Sequence, residues 1–353
     1  APSTPPFDLA TRLVRTLDSW ELQDLGGRVG DSDLSGSVMI RRTNGARRFE
    51  AELASERLDF DDIGAIIGLP VDTTESSNAE LERRQERFAR SSRVFPDAPL
   101  AVERISQIDG TLSYTAARVT GFGSEDLGRL ELELRLQDQV LELSPLALDG
   151  NRERVELYST TDASVSPPAS DILVTSSGID LQSLVPNDQV SGRVDGQLEI
   201  SGTGNSIRAT MATASGRLQA AIDNGLIRSA FVETIGLDLL SLLATDGAAQ
   251  QPVCLVTDIR IDSGQATIDS LLAHTGETVI RGSGRINLAN ETLDVELEAN
   301  DDGPNLGSIG GPVTVGGTLR DPVRAPHDVL VSEVSATGFR IPATVALAPG
   351  DAI

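Results

Sequence analysis

Alternation with a period of two residues narrows most what this chain can become. In Leu130-Glu131-Leu132-Glu133-Leu134-Arg135-Leu136 the leucines fall on one side of an extended backbone and the charges on the other, because successive strand side chains point to opposite faces. Such a segment buries one face and wets the other. The turn Gln137-Asp138-Gln139 follows, and Leu141 and Leu143 resume the alternation, so the pair reads as an antiparallel hairpin. Val194, Gly196, Leu198 and Ile200 repeat the build, as do Leu218, Ala220 and Ile222. So do Ile259 and Ile261 with Ala266 and Ile268, and Leu293, Val295 and Leu297. The pattern predicts roughly 15 to 18 strands. The expected fold is all-β, mainly antiparallel: an elongated curved sheet or β-groove of repeated hairpins, with one or two short helices.

A recurring triplet supports growth by accretion. Gly27-Arg28-Val29, Gly128-Arg129-Leu130, Gly192-Arg193-Val194, Gly216-Arg217-Leu218 and Gly284-Arg285-Ile286 each read as a turn glycine, a solvated arginine and an apolar strand start. Residues 55–63 and 177–184 share a strand end that runs into a short helical turn. The spacing is too irregular for a strict solenoid.

Three segments break the pattern. Residues 71–95 are polar, with charges at helical spacings, and read as a surface helix or linker. They divide a β-repeat segment, 1–70, from a larger β-rich unit, 96–330. Residues 226–244 place Ile227, Phe231, Ile235, Leu239 and Leu243 near one stripe, which predicts an amphipathic helix lying on the sheet. Residues 331–353 read as a tail.

Chemistry is scarce. With 29 basic and 53 acidic residues the net charge is -24, a field that repels nucleic acid and anionic lipid surfaces. The single cysteine, Cys254, reads as a small buried residue. Only His274 and His327 are available for proton transfer, and there is no nucleophile elbow or phosphate-binding glycine loop. The acidic groups Asp31/Asp33, Asp59/Asp61/Asp62 and Asp301/Asp302 do not fit calcium-loop spacing and read as solvated strand edges. Asn290-Glu291-Thr292 matches a glycosylation sequon. No enzyme activity, metal or cofactor is expected. No run of about 18 apolar residues occurs. The chain starts with Ala rather than Met, so an upstream anchor removed from a longer protein is expected.

What remains is the apolar face. Aromatics are 3% of the chain, too few for a sugar-stacking surface. The face either closes on a second sheet as a sandwich core or lines a groove open to hydrocarbon; alternation is the same in both.

The order of several stretches carries a resemblance. Phe95-Pro96-Asp97-Ala98-Pro99-Leu100 is followed by "VERISQIDGTLSYTAARVTG" and "LGRLELELRLQDQVLELSPLALDG", then "SSGIDLQSLVP", "GRVDGQLEISGTGNS" and "GSGRINLANETLDVELEA". Over about residues 5–330 this resembles the C-terminal region of AsmA-like proteins, which are similar to TamB and to bridge-like lipid carriers. The resemblance implies a Gram-negative envelope protein, held in the inner membrane by an upstream anchor, with its bulk in the periplasm. It implies phospholipid acyl chains and other envelope proteins as partners, in transport toward the outer membrane or in its assembly. Leu130, Leu132, Leu134, Leu136, Val194, Leu198, Ile200, Ile259 and Ile261 are then the expected lipid-contacting residues of the groove. Plain core packing accounts for the same residues, and a structural scaffold without lipid is the alternative.

Overall fold

The computed structural model describes residues 6–43, 46–60, 62, 93–97, 109–121, 125–181, 190–228, 250–275, 278–301 and 312–326. The strands are β1 (Phe7–Arg15), β2 (Ser19–Val29), β3 (Ser32–Thr43), β4 (Ala46–Asp59), β5 (Asp109–Gly121) and β6 (Glu125–Gln137). They continue as β7 (Val140–Asp149), β8 (Arg154–Asp162), β9 (Ala169–Asp180), β10 (Val190–Thr203), β11 (Ser215–Arg228) and β12 (Gln250–Asp262). The last are β13 (Gln265–Thr275), β14 (Thr278–Asn287), β15 (Thr292–Asp301), β16 (Val313–Gly317) and β17 (Pro322–Pro326).

All seventeen belong to one sheet, and each pairs with the next in chain order. Every pairing is antiparallel except β4 with β5, which is parallel. A parallel pair needs a long crossover, and residues 60–108 provide it. The sheet runs on across this crossover without a break in pairing. A hollow of about 520 Å³ is lined by five consecutive strands, β7 to β11, with Glu142, Thr160, Asp171, Glu199 and Arg217 among its lining residues. Proline at both ends of β17 removes amide donors from that outer strand.

The tight turns follow local chemistry. Asp138 and Gln139 both have positive φ, 50° and 68°, and join Gln137 to Val140 as a two-residue hairpin. The Gly-Arg triplets depart from expectation. Their arginines are exposed, but their glycines lie inside strands rather than in turns, all at positive φ. At Gly216, φ is +155° and a Cβ would fall 2.0 Å from the Glu199 carbonyl oxygen of the neighbouring strand. The backbone dips toward its neighbour, which only glycine permits.

The other corrections also have local causes. Residues 225–228 continue β11 as strand; the remainder of the predicted amphipathic helix, and His327, lie outside the described residues. The helix that is described, α1 (Ile207–Thr213), falls between β10 and β11, where Ser206 caps it by accepting from the Ala209 N–H at 3.1 Å. Cys254 is exposed, because its neighbours Val253 and Leu255 take the apolar face and alternation turns it outward.

Two aspartates read as solvated edges cap backbone instead. Asp62 accepts from the Asp31 N–H at 3.0 Å and from the Ser32 N–H and hydroxyl at 3.0 and 2.7 Å, holding the β2–β3 turn. Burial raises its carboxyl above the ordinary value despite these bonds. Asp33 accepts from the Glu56 and Arg57 N–H groups at 2.9 and 2.6 Å. Burial pushes this carboxyl up, and the amide hydrogen bonds outweigh it, leaving the group below its ordinary 3.8. A lowered folded value makes its contribution present at neutral pH and lost as pH falls through that value. Asp33→Ala is therefore expected to cost about 1 kcal/mol at pH 7 and less at the acid end, as checked by denaturant titration at both.

Candidate functional site: an apolar lane along the sheet

Residues directly opposite in neighbouring strands share a face, so register shows what one face carries from end to end. One row enters at Leu25 on β2 and passes through Gly36, Leu53, Tyr114 and Leu132. It continues through Leu146, Leu157, Val174, Leu198 and Leu218. It then crosses Ile259, Ile268, Gly284 and Val295 to end at Val315 on β16. Fifteen consecutive strands thus place an apolar side chain, a glycine or one tyrosine at the same level. The Tyr114 hydroxyl donates to Ser55 Oγ at 2.9 Å, and Ser55 donates to the Asp33 carbonyl at 2.5 Å, so this buried polar group is satisfied. Burial raises the phenol above its ordinary value.

A second row runs beside the first from Leu13 on β1 to Leu293 on β15 by way of Leu134, Leu143, Ile172 and Ile200. Ser159 is its one polar side chain. The opposite face is wet: Arg217 pairs with Asp258, Arg129 with Glu131 at 2.6 Å, and Arg260 with Asp269 at 3.0 Å. His274 is exposed on β13, directly opposite the exposed Cys254 of β12.

All nine residues expected to line a groove lie on the apolar face. Leu132, Leu198 and Ile259 share the first row, and Leu134, Ile200 and Ile261 the second. Leu130 and Leu136 sit one level to either side on β6, and Val194 faces Ile179 and Ile222. Their surroundings differ. Ile200, Ile259 and Ile261 are buried in a cluster that Phe95 and Met211 of α1 pack against. Leu130 is buried in a second cluster, on β4–β7, with Leu58, Tyr114, Ala116 and Val119. Leu136 is buried too, whereas Leu132, Leu134, Val194 and Leu198 are half-buried.

Each apolar cluster draws its strand residues from a contiguous block of strands. Between the blocks lies a bare window, with Leu134, Leu143, Leu157 and Val174 half-buried and in none of the clusters. The alternation in "DILVTSS" around Ile172 and Val174 was a signal for this window that the candidate residues did not use. Phe95 and Met211 were missed as covers because a loop and a seven-residue helix carry no long period.

Among the described residues no helix is long and apolar enough to cross a membrane, and no group of His, Cys, Asp or Glu is arranged to hold a metal ion. The molecule is therefore an elongated single-sheet β protein whose distinguishing surface is an apolar lane running across its strands. The AsmA family model matches residues 11–271, so the chain belongs to the AsmA family. It is also 23% identical over 337 residues to the AsmA family protein YhjG of Escherichia coli (strain K12), covering 91% of this chain and 49% of that protein. The chain thus spans about half the length of this relative. No solved structure matches. The family is an envelope-associated one, and membership suggests a role in the cell envelope or outer-membrane biogenesis.

Proposed function

We infer that this chain is a lipid-carrying groove module of the envelope, without enzymatic chemistry, in which phospholipid acyl chains lie in the lane and headgroups stay at its wet rim. Continuity carries this reading: fifteen strands hold one apolar level, and its middle is half-buried and outside the packed clusters. A sandwich core would need a facing layer, and all described strands belong to the single sheet. Burying hydrocarbon is worth about 0.8 kcal/mol per methylene, so such a lane holds lipid without charged contacts. From β2 to β16 the first row spans fourteen strand spacings, roughly 65 Å. That exceeds the hydrocarbon of one leaflet, half of a core about 30 Å thick. The periplasm, an inner-membrane anchor upstream, and delivery toward the outer membrane complete the proposal. Other envelope proteins are the proposed protein partners.

A benzophenone amino acid placed at Val174, on the lane, is expected to give phospholipid adducts on irradiation in the envelope. The same probe at Gln197, on the opposite face, is expected to give none. Lipid-free, soluble preparations with no adduct at Val174 would leave a structural scaffold instead.

A further inference from the structure

Part of the lane between β10 and β14 is covered, and the cover has a distinctive fastening. Residues 93–97 form a strap whose Phe95 packs against the cluster containing Ile200, Ile259 and Ile261. The rest of its hold is polar: Arg320 Nη1 donates to the Arg93 carbonyl at 3.4 Å and Arg93 Nη1 to the Ala289 carbonyl at 3.0 Å, and the contacts at residues 94–97 converge from two sides. On one side Glu291, in the β14–β15 turn and fully buried, accepts from the Val94 N–H and from the Phe95 N–H, the latter at 3.3 Å. On the other side Arg208 of α1 donates from Nη2 to the Phe95 carbonyl at 2.9 Å and from its backbone N–H to the Pro96 carbonyl at 3.1 Å. Its Nη1 pairs with Asp97 at 2.9 Å, and Ser206 Oγ donates to Asp97 at 3.2 Å. Among the described residues Arg208 Nε is buried without a hydrogen-bond partner, 3.8 Å from Glu291 Oε1.

Nothing in the turn itself calls for glutamate at position 291. Its φ is +61°, a conformation that glycine or asparagine adopts more cheaply. A buried carboxylate is costly unless hydrogen-bonded, and the N–H groups that Glu291 accepts from belong to the strap. The neighbouring Asn290-Glu291-Thr292 triplet is explained without glycosylation: Asn290 Oδ1 accepts from the Thr292 N–H and hydroxyl at 3.2 and 2.7 Å.

We propose that the strap is a releasable latch on the lane, fastened by Glu291 and Arg208. Fastened, it seals the section containing Ile200, Ile259 and Ile261; released, it joins that section to the bare window on β6–β9. The proposal rests on the lipid reading above. Its test is hydrogen exchange at the Val94 and Phe95 amides combined with benzophenone crosslinking at Leu218, which packs against the cluster that Phe95 also covers, and at Val174, in the window. The full chain is incubated with phosphatidylethanolamine and phosphatidylglycerol vesicles. Glu291→Gln is expected to speed exchange of the two amides about 10- to 100-fold. Lipid adducts at Leu218 should rise about tenfold while those at Val174 stay constant. Phe95→Ala, which leaves the fastening side chains in place, should also raise adducts at Leu218, and it serves if Glu291→Gln does not fold. Unchanged exchange, or adducts at Leu218 that do not rise in either variant, overturns the latch and leaves the lipid reading standing on Val174. Absence of adducts at Val174 in every protein overturns both.

Discussion

Val174→Glu is expected to lower the phospholipid bound per protein about 100-fold without unfolding the sheet. Val174 sits in the bare window, half-buried, with Leu157 directly opposite on β8 and Leu198 on β10. In the empty lane a carboxylate at this position stays hydrated, so stability changes little. Once acyl chains occupy the lane the charge faces hydrocarbon on all sides. Acidic and basic residues at a bilayer centre cost about 2.5–3.5 kcal/mol, a factor on the order of 100 in occupancy. Gln197→Glu adds the same charge to the wet face, between Thr175 and Gln219, and is expected to leave lipid content unchanged. Phosphorus analysis of the purified proteins measures both. A full lipid complement in Val174→Glu would show that acyl chains do not run past this point.

Gly216→Ala is expected to cost roughly 3 kcal/mol or more, a large effect for a single methyl group. The added Cβ would lie 2.0 Å from the Glu199 carbonyl oxygen and 2.8 Å from the Ile200 Cα, at a φ of +155° that alanine rarely adopts. Backbone has no rotamer with which to move aside, so β10 and β11 must separate at the centre of the lane. Because each strand packs chiefly on its neighbours, the damage should appear as faster hydrogen exchange in β10 and β11 before it reaches distant strands. An adjacent pair near the other end supplies the contrast. Gly27, at φ +151°, would place its Cβ 2.1 Å from the Asp8 carbonyl, whereas Gly26 has nothing within 4 Å. Gly27→Ala should behave like Gly216→Ala, and Gly26→Ala should be neutral or stabilising by up to about 1 kcal/mol. Equal melting temperatures for the two alanine variants would contradict this account.

The acidic residues illustrate how far local pattern reaches. Asp33 and Asp62 look like solvated edges because their neighbours are polar, yet each turns its carboxylate onto backbone amides more than twenty residues away. Glu291 is the extreme case, binding a strap almost two hundred residues earlier in the chain. The Phe95-Pro96-Asp97 motif was legible as a motif, but nothing in its own composition says which turn would hold it.

What the sequence determined by itself was the chemistry of each face. A strand's side-chain period is a local property of the backbone, so Leu130 to Leu136, Val194 to Ile200 and Ile259 with Ile261 could be assigned to one side without knowing any partner. The tertiary structure alone decided how those sides join. Register comes from pairing between strands, and it is register that sets Leu53, Leu132, Val174 and Leu198 in one row across the parallel β4–β5 step. The same pairing moved the Gly-Arg glycines out of turns and into the sheet, because positive φ serves a turn and a strand dip equally well. Which stretch of lane is covered was decided in the same way, by contacts between α1, residues 93–97 and a distant turn, where no periodicity exists to be read.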